Sequence, residues 1–284
     1  MLRFGTVGVA GLGCIGGSVA LAVRQRHVAR RVVGFARTPA TRRAAVERGA
    51  VDEARSPEDG VAGLDFLVIA TPLSAVEEFL RMMARADRRL LATDAGSVKK
   101  PIAAAARSIL GPHNRFVGAH PIAGSEKTGL AAATANLFDG RVTVLTPCAE
   151  TDPAAREAVR EFWEALGSRV VEMSASAHDR CLAFSSHLPH FSSFCLAATI
   201  SRRDRTGGIR LLAGQGVKDA TRIAASDEAL WAEIFLFNRD AVLLAVDHYQ
   251  ELLRQMRTAL ATRDRGTLLR ILATARAYRE RLDD

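Results

Sequence analysis

Residues 6–16 comprise Thr6-Val7-Gly8-Val9-Ala10-Gly11-Leu12-Gly13-Cys14-Ile15-Gly16 and join a short apolar run to a glycine-rich turn. The run predicts a buried strand and the residues after the turn predict a helix, which is the setting of a dinucleotide-binding G-x-G-x-x-G motif. Gly11 permits the tight turn, Gly13 lets the backbone approach a pyrophosphate, and Gly16 allows close packing of helix on strand. The phosphates would lie on amides at the helix amino terminus, so the predicted cofactor-binding residues here are Gly11, Gly13, Ile15 and Gly16.

The end of the second predicted strand bears on the choice between NAD and NADP. NAD-binding proteins of this type normally carry Asp or Glu about 20 residues past the glycines, where it binds the ribose 2′-hydroxyl. Ala36-Arg37-Thr38 occupies that place here. No carboxylate repels a 2′-phosphate there, and a guanidinium can bind it through two hydrogen bonds. We therefore expect NADP to be preferred, with NAD possible, and expect Thr71-Pro72 to lie near the nicotinamide ribose.

The alternation of apolar runs with helical patterns predicts an α/β fold, a Rossmann-type doubly wound sheet with parallel strands and helices on both faces. Strands are predicted over residues 6–10, 31–36, 65–70, 90–93, 115–119, 141–146 and 169–173, with a further helix over 152–166. After Ser174 only helical patterns remain, and residues 229–256 are apolar on nearly every helix face, which requires burial. We predict a dinucleotide-binding domain over residues 1–173 and an all-helical substrate and dimerisation domain over residues 174–284.

Composition narrows the class of protein. The chain has 284 residues, of which 48% are hydrophobic and 25% charged, as in ordinary globular proteins. Its net charge of +8 comes from scattered arginines and aromatics are only 6%, which argues against a nucleic-acid partner and favours small anionic substrates. The four cysteines lack metal-ligand spacing, so we expect no metal and a reducing cytoplasm. The amino terminus shows no leader pattern, and no apolar stretch approaches the roughly 20 residues of a membrane span.

Several groups that can carry chemistry follow strands or lie in the helical half. Ser97 follows the strand at 90–93 and His120 follows the next one, so both should lie where the nicotinamide binds, beyond the carboxyl ends of the strands. The helical half supplies Ser186-His187-Leu188-Pro189-His190 and Lys218-Asp219-Ala220-Thr221-Arg222. Taken singly, each has a structural interpretation: a helix cap for Ser97, interior hydrogen bonding for the histidines, and an exposed i, i+3 pair for Asp219 and Arg222.

Taken together, these residues resemble the prephenate/arogenate dehydrogenase family of tyrosine biosynthesis, from Gly8 to about Asp247. The motifs are the glycine turn, Asp94-Ala95-Gly96-Ser97-Val98-Lys99, His120-Pro121-Ile122-Ala123-Gly124-Ser125-Glu126, His187-Leu188-Pro189-His190 and Asp219-Ala220-Thr221-Arg222. The chief departure is Ala36, where NAD-dependent members carry an acid. The resemblance implies a homodimer that converts prephenate to 4-hydroxyphenylpyruvate by oxidative decarboxylation, with hydride transfer to NAD(P)⁺.

The resemblance also implies roles for single residues. His120 accepts the hydrogen bond of the ring hydroxyl, and Ser97 holds the imidazole or the hydroxyl in register. Arg222 pairs with a substrate carboxylate, while the residues that orient it or line the pocket are Asp219, His187, His190, Glu126 and also His178. His190 favours prephenate and Glu126 keeps arogenate open. Because the sequence ends at Asp284, we expect no appended regulatory domain, so any inhibition by tyrosine would act at the active site.

Two other classes of function remain open on the sequence. One is another NADP-linked dehydrogenase of the same two-domain plan, such as a 3-hydroxy acid dehydrogenase or an imine reductase. A hydroxy-acid enzyme would need an acid–base lysine in the helical domain, and the only lysine after residue 150 is Lys218. The other is a nucleotide-sensing regulator, which would keep the glycine turn but need neither His120 nor Arg222.

Overall fold

Eight strands form one sheet within the residues that the computed structural model describes, which are 3–86, 89–123 and 128–282. The strands are β1 (Phe4–Ala10), β2 (Ala29–Phe35), β3 (Glu53–Arg55), β4 (Phe66–Ile69), β5 (Leu91–Asp94), β6 (Phe116–Pro121), β7 (Val142–Thr146) and β8 (Arg169–Glu172). Their order across the sheet is β3-β2-β1-β4-β5-β6-β7-β8. The predicted Rossmann-type doubly wound sheet is confirmed, with its switch point between β1 and β4.

The prediction of a parallel sheet is wrong for its last two strands, β7 and β8, which run opposite to the other six. β1 to β6 pair in parallel, but β7 runs antiparallel to β6, with His120 opposite Val144, and β8 then pairs in parallel with β7. A parallel neighbour needs a crossover connection. The described part of the link from β6 to β7 holds only the 3₁₀ turn Leu130–Ala132, so the chain returns in the opposite direction.

Helices cover both faces of the sheet and make up the remainder of the chain. They are α1 (Cys14–Gln25), α2 (Pro39–Glu47), α3 (Val76–Arg85), α4 (Lys100–Leu110), α5 (Pro153–Ala165), α6 (Ala175–Leu182), α7 (Leu188–Arg203), α8 (Gly208–Leu211), α9 (Gln215–Thr221), α10 (Glu228–Phe237), α11 (Arg239–Ala261) and α12 (Arg265–Glu280). No strand lies within described residues 174–282, as predicted. In the described part of the chain, none of these helices combines the length and the apolar character that crossing a bilayer would require.

Two hydrophobic clusters hold the sheet between its helices. On one face, Phe162 of α5 stacks on Phe66 of β4 with ring centroids 4.4 Å apart. On the other face, α3 and α4 pack with Trp231 and Ile234 of α10. Each large side chain that is fully buried in this way contributes about 1.5–3 kcal/mol. The second cluster therefore fixes α10 to the nucleotide-binding half of the chain.

The predicted apolar helix over residues 229–256 is wrong as one continuous element. It is divided at Asn238, between α10 and α11, where the buried Asn238 amide donates to the Asp179 carbonyl at 2.9 Å. Contacts divide the chain into two compact units at the same point, Met1–Asn238 and Arg239–Asp284. The predicted domain boundary near residue 174 stays a prediction. The two helices are not buried on every face within a single copy of the protein. Their exposed leucines include Leu236, Leu243, Leu244, Leu252, Leu253 and Leu260.

The glycine turn after β1 has no room for side chains at two positions. Gly11 has φ +89°, and a Cβ there would lie 2.3 Å from the Ala70 carbonyl oxygen. A Cβ on Gly16 would lie 1.8 Å from the Gly11 carbonyl oxygen. Gly13 differs, because a Cβ there meets no described atom within 4 Å. The turn is thus closed on the side of β1 and open at the start of α1.

We expect Gly16→Ala to lower the free energy of unfolding by about 1–3 kcal/mol, the usual cost of overpacking a rigid backbone contact. Gly13→Ala is the matched control, because the added methyl enters open space and only the weaker capping of alanine opposes it, within about 1 kcal/mol. Urea unfolding followed by circular dichroism measures both. Equal losses in the two variants would contradict the packing role of Gly16.

Candidate active site

A cavity of about 630 Å³ opens at the carboxyl ends of β1, β2 and β4. This is the switch point of the sheet, where open α/β folds bind their ligands. Ile15 and Gly16 lie in α1 behind this lining. The predicted cofactor residues that line the cavity are Gly11, Gly13, Arg37, Thr38, Thr71 and Pro72.

The segment after β2 forms the part of the cavity where the two cofactors differ. Ala36 is half-buried and Arg37 is exposed at the cavity. Arg42 donates from Nη1 to the carbonyls of Ala36 at 2.7 Å and Arg37 at 2.9 Å, so it braces the segment. Thr38 caps α2 by accepting from the Thr41 amide at 3.2 Å. The Arg37 side chain is thereby held at the cavity by a braced backbone.

Two features of the cavity fit a bound dinucleotide. The open space at Gly13 lies at the amino terminus of α1, where amides and the helix dipole favour a phosphate. The Thr71 hydroxyl is buried and has no hydrogen-bond partner in the described part of the chain, so it is available to a polar group of a ligand or to a water molecule. The amides just beyond it, of Leu73 and Ser74, are bound by the Glu233 carboxylate at 3.0 and 2.9 Å.

His120 lies at the carboxyl end of β6 and begins a chain of hydrogen bonds. Its Nδ1 is 2.8 Å from Nε2 of His178, and Nδ1 of His178 is 2.7 Å from Oδ1 of Asp179. The two imidazole rings are nearly perpendicular, with centroids 5.0 Å apart. His178 is fully buried, whereas His120 is half-buried. Of these hydrogen-bonded groups, the His120 ring is therefore the one that a substrate can reach.

Asp179 connects this series of hydrogen bonds to the nucleotide-binding half of the protein. Its carboxylate accepts from the amides of Lys99 and Lys100, both at 2.8 Å, at the start of α4. Burial alone would raise the pKa of Asp179, but the hydrogen bonds from His178 and from these amides lower it on balance. Ser97 is half-buried in the loop before α4. It is not the helix cap, since that position falls on Lys99 and the capping carboxylate comes from Asp179.

Lys99 places a cation directly behind His120. Its Nζ is fully buried, forms an ion pair with Asp94, and donates to the Ala119 carbonyl at 2.7 Å. Burial lowers the pKa of Lys99, and Asp94 opposes that shift. Burial holds the pKa of His120 well below its usual range, and electrostatic interactions with His178, Lys99 and His187 lower it further. His120 is consequently neutral at pH 7 and has a lone pair for a hydroxyl proton.

The predicted substrate-binding histidines lie in and after a π-helical turn, Ala183–His187. His187 is buried and accepts at Nδ1 from the Asn238 amide at 3.0 Å, and burial lowers its pKa to about 4. His190 donates from Nδ1 to the Ser186 carbonyl at 2.9 Å and stacks on Trp231 with centroids 3.5 Å apart. The buried His187 ring therefore contributes to the packing of the helices. The His190 ring is held in one orientation and remains half-buried.

Arg222 opens the 3₁₀ turn Arg222–Ala225, and its side chain is exposed. Burial and then the charge of Arg222 lower the pKa of His190, with the hydrogen bond to Ser186 opposing them, so the guanidinium and this ring share one region. Asp219 accepts from Gln215 at 2.8 Å. Glu126 lies outside the described residues. Among those described, no three His, Cys, Asp or Glu side chains are grouped to hold a metal ion.

Sequence reasoning missed Lys99, Asp179, Trp231 and Asn238. Two weak signals existed: Lys99 closes the motif after β5, and Asp179 follows His178 directly. Neither signal shows that a side chain from α6 caps a helix 80 residues earlier. Trp231 and Asn238 carry no motif at all.

The chain was compared with known families and solved structures. The model of the prephenate dehydrogenase nucleotide-binding domain matches residues 19–172, and that of the prephenate dehydrogenase dimerization domain matches residues 174–274. A prephenate dehydrogenase of Bacillus subtilis is 34% identical over 98% of this chain and 76% of its own length. A cyclohexadienyl dehydrogenase of Zymomonas mobilis is 34% identical over 95% of this chain and 93% of its own length.

A solved structure agrees with these sequence matches. Prephenate dehydrogenase from Aquifex aeolicus, in complex with hydroxyphenyl propionate and NAD⁺, superposes with a TM-score of 0.92 at 31% identity and covers 99% of both chains. Both family models, the two relatives and the solved structure lead to one assignment. The chain belongs to the prephenate dehydrogenase family.

Proposed function

We propose that the chain oxidises and decarboxylates prephenate to 4-hydroxyphenylpyruvate with NAD(P)⁺. The observation that carries this proposal is the neutral His120 imidazole at the carboxyl end of β6, backed by the His178–Asp179 pair and the Lys99 cation. When bound, the cofactor accepts a hydride from the carbinol carbon of the ring. The same reaction converts the ring hydroxyl to a carbonyl, so a proton must leave that oxygen as the hydride departs.

The residues of the chain supply the proton acceptor and the anion site. His120 accepts the hydroxyl proton as charge develops, an assistance typically worth about 10² to 10⁴ in rate. Ser97, in the loop beside it, orients the hydroxyl or the ring. Arg222 pairs with a substrate carboxylate, with Asp219 nearby on α9. Loss of carbon dioxide then yields an aromatic ring, which makes the step irreversible.

We propose prephenate over arogenate as the preferred substrate. The two differ where prephenate carries a keto group and arogenate an ammonium. The charge of Arg222 acts on His190, and a positive charge in this region opposes a substrate ammonium. Arogenate stays the alternative, because the Zymomonas mobilis relative is a cyclohexadienyl dehydrogenase and because Glu126 is acidic.

We propose that NADP is preferred over NAD. Ala36 replaces the acid that would bind a 2′-hydroxyl, and Arg37 is exposed on the cavity wall. Glu78 also lines the cavity, and its negative charge would oppose the 2′-phosphate of NADP. A planar guanidinium binds a phosphate through two charge-assisted hydrogen bonds, so we expect Arg37 to outweigh Glu78.

The remaining assignments concern assembly, regulation and location. We propose a homodimer, supported by the dimerization-domain match over residues 174–274 and by the exposed leucines of α10 and α11. We also propose a domain boundary near residue 174. Tyrosine, a phenol like the reaction product, is proposed to compete at the same pocket. The four cysteines are free in the structure, which supports a cytoplasmic location.

Substitution of Arg37 tests the cofactor proposal. We expect NADP to have the higher kcat/KM in the native chain, and Arg37→Ala to reduce the NADP to NAD ratio about tenfold, which corresponds to about 1.4 kcal/mol. Arg30→Ala is the matched control, because Arg30 is exposed at the opposite end of β2. Initial rates with both cofactors give the ratio. An unchanged ratio in Arg37→Ala would exclude this residue as the 2′-phosphate site.

Substitutions of His120 and Arg222 separate chemistry from binding. We expect His120→Asn to lower kcat by about 10² to 10⁴ with little change in KM, because it removes the proton acceptor. Arg222→Ala should raise KM for prephenate about tenfold or more with a smaller effect on kcat, because the lost ion pair holds substrate and transition state alike. Arg85→Ala, an exposed arginine at the far end of α3, is the control. Steady-state kinetics showing the reverse pattern would refute these roles.

A further inference from the structure

The hydrogen bonds from His120 through His178 to Asp179 fix the position of one proton, at the end of the series that Asp179 forms. Asp179 binds two amides and the His178 ring, and Oδ1 of Asp179 lies 2.7 Å from Nδ1 of His178. An ionised carboxylate only accepts hydrogen bonds. The proton between these two atoms therefore belongs to Nδ1 of His178.

The contact between the two rings then allows two arrangements of protons. Nδ1 of His120 and Nε2 of His178 are 2.8 Å apart, so one proton lies between them. If both rings are neutral, His178 has already used its proton on Asp179, and His120 donates from Nδ1 and keeps Nε2 as a bare lone pair. If the pair holds one more proton, His178 is the imidazolium, donates to His120, and His120 carries its own proton on Nε2.

We propose that His178 and Asp179 are positioning residues that keep Nε2 of His120 unprotonated for the substrate hydroxyl and take up the positive charge when His120 accepts that proton. The inference deepens the proposed function and rests on it. It concerns which nitrogen of His120 is free and where the charge goes, neither of which follows from the presence of a histidine at this place.

The step balances in protons without any further reactant. The ring hydroxyl gives its proton to Nε2 of His120, and the Nδ1 proton of His120 passes to Nε2 of His178. His120 ends neutral with its proton on Nε2, and His178 ends as an imidazolium between His120 and the Asp179 carboxylate. The hydride leaves the substrate carbon for the cofactor in the same reaction. When carbon dioxide departs, the ring oxygen becomes a phenolate and takes a proton back from Nε2 of His120, so that the reaction releases no net proton and both rings return to their neutral forms.

The electrostatics of the surrounding elements favour this distribution of charge. The groups that face the pair are Lys99 from the start of α4, with Asp94 paired to it, Asp179 from α6 and His187 from the π-helical turn. Burial, His178, Lys99 and His187 all lower the pKa of His120. A cation on His178 instead lies against Asp179, whose own pKa is lowered partly by that hydrogen bond. Charge is thus unfavourable on the first ring and compensated on the second.

The first experiment reads the proton on His120 directly. The chain labelled with ¹⁵N in its histidine rings is studied without substrate or cofactor at neutral pH, and His120→Asn assigns the His120 signals. We expect a protonated Nδ1 and an unprotonated Nε2 on His120 in the native chain. A native His120 that carries its proton on Nε2 would overturn the proposal, whatever the variants do.

The second experiment removes the charge of Asp179 and keeps its shape. Asp179→Asn keeps one oxygen that can accept from one of the two α4 amides, which donate to different oxygens of Asp179. We expect a folded but less stable protein whose kcat falls about tenfold or more while KM stays nearly unchanged. The acid limb of its kcat/KM profile should move to lower pH by about one unit, because the extra proton held between the two rings has lost the carboxylate charge that compensates it. Asp152→Asn is the matched control, since Asp152 caps α5 by binding the Ala154 amide at 2.9 Å.

The outcomes separate positioning from mere support of the fold. A lower kcat with an unshifted acid limb and an unchanged His120 tautomer would mean that Asp179 only caps α4, and would overturn the proposal, as would an unchanged kcat. If Asp179→Asn does not fold, His178→Gln replaces it, with the same pH profile and the same ring signals as readouts. Absence of turnover of prephenate and arogenate in the native chain would refute the proposed function, while the ring signals would still decide the tautomer.

Discussion

One carboxylate, that of Asp179, connects α6 to the start of α4 and to the ring that contacts His120. It accepts from the amides of Lys99 and Lys100 at the start of α4 and from the His178 ring on α6. A buried carboxylate is costly unless its lone pairs are satisfied, and here three donors satisfy it. The loop that carries Ser97, the start of α4 and the ring that contacts His120 are therefore positioned by the same group.

A buried charge pair, Lys99 with Asp94, lies in the same part of the site. Pairs of this kind often add little net stability, because desolvation offsets most of the attraction. Their value here is local, since the Lys99 cation lies behind His120 and disfavours a proton on it. The pair also donates to the Ala119 carbonyl, so the end of β6 is held in place by the group that sets its electrostatics.

Much of the fold was predictable because it depends on local pattern. The apolar runs identified seven of the eight strands. Gly11 and Gly16 identified the turn, because a side chain at either position would clash with neighbouring backbone atoms. β3 escaped because Glu53–Arg55 is short and polar. The antiparallel course of β7 escaped because an apolar run carries no direction.

The predictable part of the site was the part with a motif. His120, Ser97, Arg37 and the histidines after Ser186 occur in patterns that point to their chemistry. Asp179 and Asn238 act through contacts with residues 80 and 59 positions away in the chain, and no short-range pattern encodes such a partner. The break of the apolar helix at Asn238 belongs to this second kind, because it depends on a carbonyl acceptor supplied by α6.

The order of the strands separates two tasks in space. Arg37 follows β2 and His120 ends β6, with β1, β4 and β5 between them, so at about 4.8 Å per strand step the two lie roughly 19 Å apart across the sheet. Substitutions at such distances usually have additive effects. Selection for NAD or for NADP can therefore change the residues after β2 with little effect on His120. Related enzymes that use the same proton acceptor are thus free to differ in which of the two cofactors oxidises the substrate.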